Sequence, residues 1–292
     1  MTIENKDVLV CSSAGQMTAT GRRAFLQRAA FAGAVGATGL TSLLTLASPE
    51  LGTAATALHH NDGDNDADDL KRRDTAILVA AEIAEALAVT TYTNIIDSAP
   101  FFSRLPSDDQ GYLVAARQEE MSHYLLEQSV TDTPSPFKSF FYPKGMFENA
   151  QTTLNVLVTL EDAFIAAYLV GVRHFSTSDL RVTAARIMGI ESDHRTLARV
   201  LAGNVAARDG GPIEKITGVQ GVAESVDPPN DNGYERTLCW SHIEQAVAAL
   251  TPFADMNAAK AAGFDVTRSY GFVPFSPTLP NRLGDFISFK GC

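Results

Sequence analysis

Glu120-Met121-Ser122-His123 and Glu191-Ser192-Asp193-His194 each set a carboxylate and an imidazole three residues apart. On an α-helix such positions are neighbours on one face, so each pair can present two ligand atoms to a single ion. Glu85 and Glu161 interrupt runs that are otherwise almost wholly apolar, residues 77–89 and 154–170. A buried carboxylate without a partner costs several kcal/mol in desolvation, so something must compensate both. In chain order the candidates read Glu85, Glu120/His123, Glu161, Glu191/His194. Two helices giving one Glu each, and two others giving Glu-x-x-His, is a donor arrangement suited to a pair of metal ions in a helical bundle. The gaps of 35, 41 and 30 residues between the four glutamates suit antiparallel helices meeting at similar heights. Oxygen-rich donors with two imidazoles favour iron or manganese over zinc or copper.

An internal repeat supports the same grouping. Residues 85–92 (EALAVTTY) match residues 161–168 (EDAFIAAY), with Glu and Tyr seven apart in both. Seven residues are two helical turns, which puts each Tyr on the face of its Glu. The match selects Glu85 over Glu82, and it makes Tyr92 and Tyr168 candidates for hydrogen bonding to ligand carboxylates. Glu119 and Glu127 neighbour the set, but a solvated or salt-bridged face accounts for them as well. Arg117 and Arg195 are available to pair with these acids, Asp193 reads as a structural or water-facing residue, and His242 as a cap rather than a ligand.

The elements that would carry these residues are helical. Residues 74–96 form helices readily and contain no Gly or Pro. Ser107-Asp108-Asp109-Gln110 reads as a capping box that opens a second helix, to about Gln128. Three prolines in 131–143 end it and imply a crossover of about twenty residues. A third helix is expected over 149–175 and a fourth over 178–208, before Gly210-Gly211-Pro212. Beyond it, residues 235–250 suggest a fifth helix that stops ahead of Pro252. Residues 255–262 suggest a short helix closed by Gly263. From Tyr270 on, Pro274, Pro277 and Pro280 imply an extended tail laid over the bundle.

Two Glu-x-x-His motifs in order with two buried glutamates resemble the ferritin-like superfamily of bacterioferritin and rubrerythrin type, over about residues 72–208. The resemblance implies an all-α four-helix bundle, two hairpins joined by a long crossover, with residues 209–292 packed on it. It implies that Glu85 and Glu161 are terminal ligands, that Glu120 and Glu191 bridge two Fe or two Mn ions, and that His123 and His194 hold one ion each. O2 or H2O2 would be the small oxidant. The alternative is a stress-protective or structural member whose metals chiefly stabilise the bundle. The rubredoxin-type cysteine module of some relatives is missing, and the long tail would obstruct a mineral-storing cage.

The N-terminus reads as an address. Gly21-Arg22-Arg23-Ala24-Phe25-Leu26 precedes a charge-free stretch, residues 29–49, and the small-x-small site Ala55-Thr56-Ala57. This resembles a bacterial twin-arginine export signal, so residues 1–57 are expected to engage that machinery and be removed. A periplasmic or secreted protein without a stable membrane span would result. Residues 58–71 read as an acidic tether, since Asp62, Asp64 and Asp66 start a calcium-loop pattern that Ala67 and Arg73 break. The 292-residue chain has a net charge of −11, and removing residues 1–57 leaves 19 basic and 31 acidic residues. That balance argues against a nucleic-acid partner. Of three cysteines, Cys239 and Cys292 would remain to pair in an oxidising compartment. The reading allows a homo-oligomer.

Overall fold

A computed structural model of the chain describes residues 66–209 and 238–278. Six α-helices and a two-stranded ribbon make up these residues. The first hairpin is α1 (Asp66–Ser98) and α2 (Ser107–Thr131), the second α3 (Ala150–His174) and α4 (Ser178–Asp209). The core lies between the four helices. α3 is buried on almost every side from Ala150 to Gly171, as its apolar run requires. α1 and α3 are long and apolar enough to cross a membrane by length and composition, but most of each apolar window is buried inside the bundle.

Local chemistry sets the helix ends. Asn149 caps α3 by accepting from the Thr152 amide at 3.0 Å. Phe175 ends α3, and its carbonyl accepts from Arg181 at 2.6 Å. Asp74 on α1 reaches across to the α3–α4 turn, where its carboxylate accepts from the amide of Ser176 at 2.9 Å and from the Ser176 hydroxyl. That contact ties one hairpin to the other. Gly171 lets α3 and α4 close up: a Cβ there would meet the Phe175 ring at 2.8 Å.

Several boundaries differ from expectation. α1 starts at Asp66, inside the segment read as tether, and residues 67–71 are exposed; the rest of that segment and the export signal lie outside the described residues. The capping box at Ser107 does not form. Pro106 precedes the helix without a side-chain cap, and Gln110 Nε2 instead donates to the Leu105 carbonyl at 2.8 Å. The fifth helix, α5 (Ile243–Ala254), begins later than expected and runs through Pro252. Its start is set by Gln245, whose side-chain oxygen accepts from the amides of Ser241 and His242 at 2.8 and 3.1 Å. Pro252 lies in the last turn, where it removes a single helical bond. α6 (Met256–Ala261) is capped by Asp255 and followed by Gly263 at φ +77°.

No strand was expected in the crossover or in the stretch leading into the tail, yet the two pair. β1 (Ser139–Pro143) runs antiparallel to β2 (Phe264–Gly271), with a bulge between Phe140 and Tyr142. Tyr142 anchors the ribbon, its hydroxyl 3.0 Å from that of Thr91 on α1. Past β2 the chain runs over α2: the Phe272 ring packs edge-on to Tyr124, Arg117 sits 5.5 Å over the Phe275 ring, and the Thr278 amide donates to Gln118.

Candidate metal centre

All six expected ligand residues converge at the middle of the bundle. Glu85, Glu120, Glu161 and Glu191 are buried, as are His123 and His194. Two groups emerge: Glu85, Glu120, His123 and Glu191, and Glu120, Glu161, Glu191 and His194. Within each, one donor atom per residue lies within 4.8 Å of the others, so each could hold a metal ion. Glu120 and Glu191, one from each hairpin, belong to both. His123 Nδ1 is 3.1 Å from Glu191, 3.5 Å from Glu120 and 3.6 Å from Glu85. His194 Nδ1 is 2.8 Å from Glu120 and 3.4 Å from Glu191.

These approaches are not aligned hydrogen bonds. Glu85 Oε2, Glu161 Oε2, both carboxylate oxygens of Glu120 and of Glu191, and Nδ1 of both histidines are buried without a hydrogen-bond partner. Buried polar atoms normally find partners, and leaving each unmade costs about 1–3 kcal/mol. Eight such atoms facing one volume fit a bound divalent metal, and their hard, carboxylate-rich chemistry fits iron or manganese.

The electrostatics carry the same sign. Burial, reinforced by the charges of Glu120 and Glu191, pushes the Glu85 and Glu161 carboxyls well up. Burial also opposes ionisation of Glu120, but the imidazoles of His194 and His123 outweigh it and hold that carboxyl low. Burial works against charged imidazoles too; the surrounding carboxylates overcome it and raise both His123 and His194. Metal binding must therefore displace protons.

The tyrosines pair across the bundle. Tyr92 on α1 donates to Glu161 on α3 at 2.7 Å, and Tyr168 on α3 contacts Glu85 on α1. Each lies on the face of its own glutamate, as the repeat implies, but it bonds the glutamate of the other hairpin. Antiparallel packing brings a residue two turns along one helix beside its neighbour's mid-point, which no local pattern encodes.

Residues outside the expected set complete the surroundings. Glu119 Oε2 accepts from His194 Nε2 at 2.9 Å and turns Nδ1 toward the centre. Glu127, read as a candidate for a solvated face, is 3% exposed, and Tyr168 reaches it at 2.6 Å. Glu82 lies off the centre and accepts from the Thr131 hydroxyl at 2.5 Å; burial pushes its carboxyl up to about 7. Arg195 pairs with Asp162 at 3.1 Å rather than with the acids of the centre, and Asp193 is exposed. His242 stacks on His174 at the bundle end, far along α3 from Glu161. Cys239 is disulfide-bonded; Cys292 lies outside the described residues. Glu119 and Glu127 were visible as acids at positions 119 and 127, but only docking of the hairpins decides what each one faces.

A family model of the ferritin-like domain matches residues 73–204. Comparison with curated proteins and with solved structures finds no match. The matched span holds the four long helices and all six converging residues, so the bundle of this chain is a ferritin-like domain.

Proposed function

We propose that this chain is an exported ferritin-like metalloprotein that holds two iron or two manganese ions and uses them in redox chemistry with O2 or H2O2. One observation carries the reading: two buried donor groups share Glu120 and Glu191. In this assignment Glu85 and His123 serve one ion, Glu161 and His194 the other, and Glu120 and Glu191 reach both. A bound pair of such ions supplies one electron change per metal, enough together for two-electron reduction of an oxidant. The chain does the rest. Tyr92 and Tyr168 orient the terminal carboxylates by hydrogen bonds, Glu119 orients His194, and the apolar walls of α3 exclude water.

Elemental analysis of protein purified from its own compartment should find two equivalents of iron or manganese per chain. Loaded protein should then consume peroxide or oxygen; no turnover with either metal would sink the redox reading. The eight unpartnered atoms also support a second reading, in which metals chiefly compensate buried charge. A lower melting temperature on metal removal, with no redox turnover, would favour it.

Export rests on the Arg22-Arg23 pattern and its charge-free sequel, and a disulfide at Cys239 suits an oxidising compartment. Replacing both arginines (Arg22→Lys, Arg23→Lys) should hold the chain in the cytoplasm, as fractionation would measure.

A further inference from the structure

The two candidate ion positions are alike in their ligands and unlike in what holds those ligands. At one position each terminal ligand has a partner of its own. His194 Nε2 donates to Glu119 at 2.9 Å while Nδ1 faces the centre, and Tyr92 donates to Glu161 at 2.7 Å. At the other position His123 turns Nδ1 toward Glu191, Glu120 and Glu85, and among the described residues nothing bonds its Nε2. The tyrosine there is shared: Tyr168 contacts Glu85 and also reaches Glu127 at 2.6 Å. A phenol has one proton to donate, so Glu85 and Glu127 compete for it.

The internal repeat traces this difference to single positions. Glu120 and His123 on α2 correspond to Glu191 and His194 on α4, and by the same register Glu119 corresponds to Ile190 and Glu127 to Ala198. Glu119 reaches from α2 to the histidine of α4. The residue in the equivalent place for reaching back from α4 to His123 is Ile190, whose side chain has no atom that accepts a hydrogen bond. The carboxyl that competes for Tyr168 is likewise an alanine in the other half, and Tyr92 keeps Glu161 as its sole partner among the described residues. The ligand motif is twofold symmetric; the residues behind it are not.

We propose that the two positions are unequal: an ion beside His194 and Glu161 binds first and tightly, and an ion beside His123 and Glu85 binds second and exchanges more readily. The inference rests on the two-ion assignment above and not on the redox chemistry. A carboxylate on the far nitrogen of a metal-bound imidazole fixes its tautomer and orientation and makes the ligating nitrogen more basic. Such partners are typically worth 10–100-fold in metal affinity. Glu119 is partly exposed, which places its effect at the lower end of that range. Glu119 is thus a positioning residue for one ion only, and the weaker position sets the metal concentration at which the pair assembles.

Anomalous diffraction from crystals of the full chain grown with one equivalent of Mn(II) should place manganese beside His194. Excess Mn(II) should fill both positions. Calorimetric titration of the metal-free chain with Mn(II) should resolve two steps about tenfold apart in affinity. Glu119→Leu should weaken the first step to the level of the second, and Ile190→Glu should strengthen the second. Equal occupancy at one equivalent, a first ion beside His123, or steps that Glu119→Leu leaves unchanged would each overturn the inequality. The wild-type crystals decide the matter even if a variant fails to fold. Manganese at neither position would defeat the two-ion assignment and the inequality with it. Two unequal ions without turnover of peroxide or oxygen would uphold the inequality and defeat only the redox reading.

Discussion

Six residues meet at the centre, but two tyrosines and one off-centre glutamate are the more revealing residues to change. Tyr92→Phe and Tyr168→Phe each remove a hydrogen bond to a candidate ligand carboxylate while keeping the ring. Partners of this kind are typically worth 10–100-fold in metal affinity, so each variant should bind iron or manganese that much more weakly in competition with a chelator. Glu82 tests burial alone. Its carboxyl is raised to about 7 from an ordinary 4.5 because it is buried. Between those values the folded chain holds a proton that the unfolded chain has lost, so stability from this group falls as pH rises from about 4.5 to 7 and then stays low. Glu82→Gln removes that penalty. Urea unfolding should find the variant more stable than wild type at pH 8, by up to about 3 kcal/mol, with the difference shrinking toward pH 4.5.

Among the elements, the α3–α4 hairpin is the one whose closeness depends on a missing side chain. A Cβ at Gly171 would press on Phe175 and stand 3.3 Å from the Ala184 Cβ, and overpacking of this kind typically costs 1–3 kcal/mol. Gly189, on α4, has nothing within 4 Å of the same added atom, so alanine there should only improve helix propensity, by about 0.5–1 kcal/mol. Urea denaturation should therefore give opposite signs for Gly171→Ala and Gly189→Ala. The crossover and the chain after α6 are a second case of elements that need each other. Neither β1 nor β2 has a partner within its own segment, and an isolated two-stranded ribbon is marginal. Here it is held by the contact of Tyr142 with Thr91 on α1 and by the aromatic cluster of Tyr142, Phe147, Phe253 and Tyr270.

At the scale of the whole molecule, the buried acids couple stability to metal. Burial and the charges of Glu120 and Glu191 raise the Glu85 and Glu161 carboxyls, so both hold their protons more tightly than ordinary carboxyls do, and the orphaned oxygens lack partners. Loading should displace those protons and stabilise the fold by about 2.7 kcal/mol for each ion bound at a hundredfold excess of free ion over Kd. An indicator dye should record acidification on adding Fe(II) or Mn(II), and affinity should be tighter at pH 8 than at pH 6. Thermal melts before and after chelation should show a drop that re-addition of metal reverses. The net charge of −11 thus includes four acids assigned to the interior.

The grouping of Glu85, Glu120, His123, Glu161, Glu191 and His194, and the four helices that carry them, could be read without coordinates. Both are local: i,i+3 pairs share a face whatever the fold, and an acid in an apolar helix demands compensation wherever that helix packs. The repeat points to Glu85 over Glu82, and Glu85 is the one of the two that lies in a donor group. What depended on tertiary structure joins distant segments. Tyr92 and Tyr168 exchange glutamates between hairpins, Glu127 turns inward to Tyr168, and Glu119 steadies His194. Ser139–Pro143 finds a strand partner more than a hundred residues away. Each outcome follows from which surfaces meet when the hairpins close, a free energy of packing that single positions in the chain do not carry.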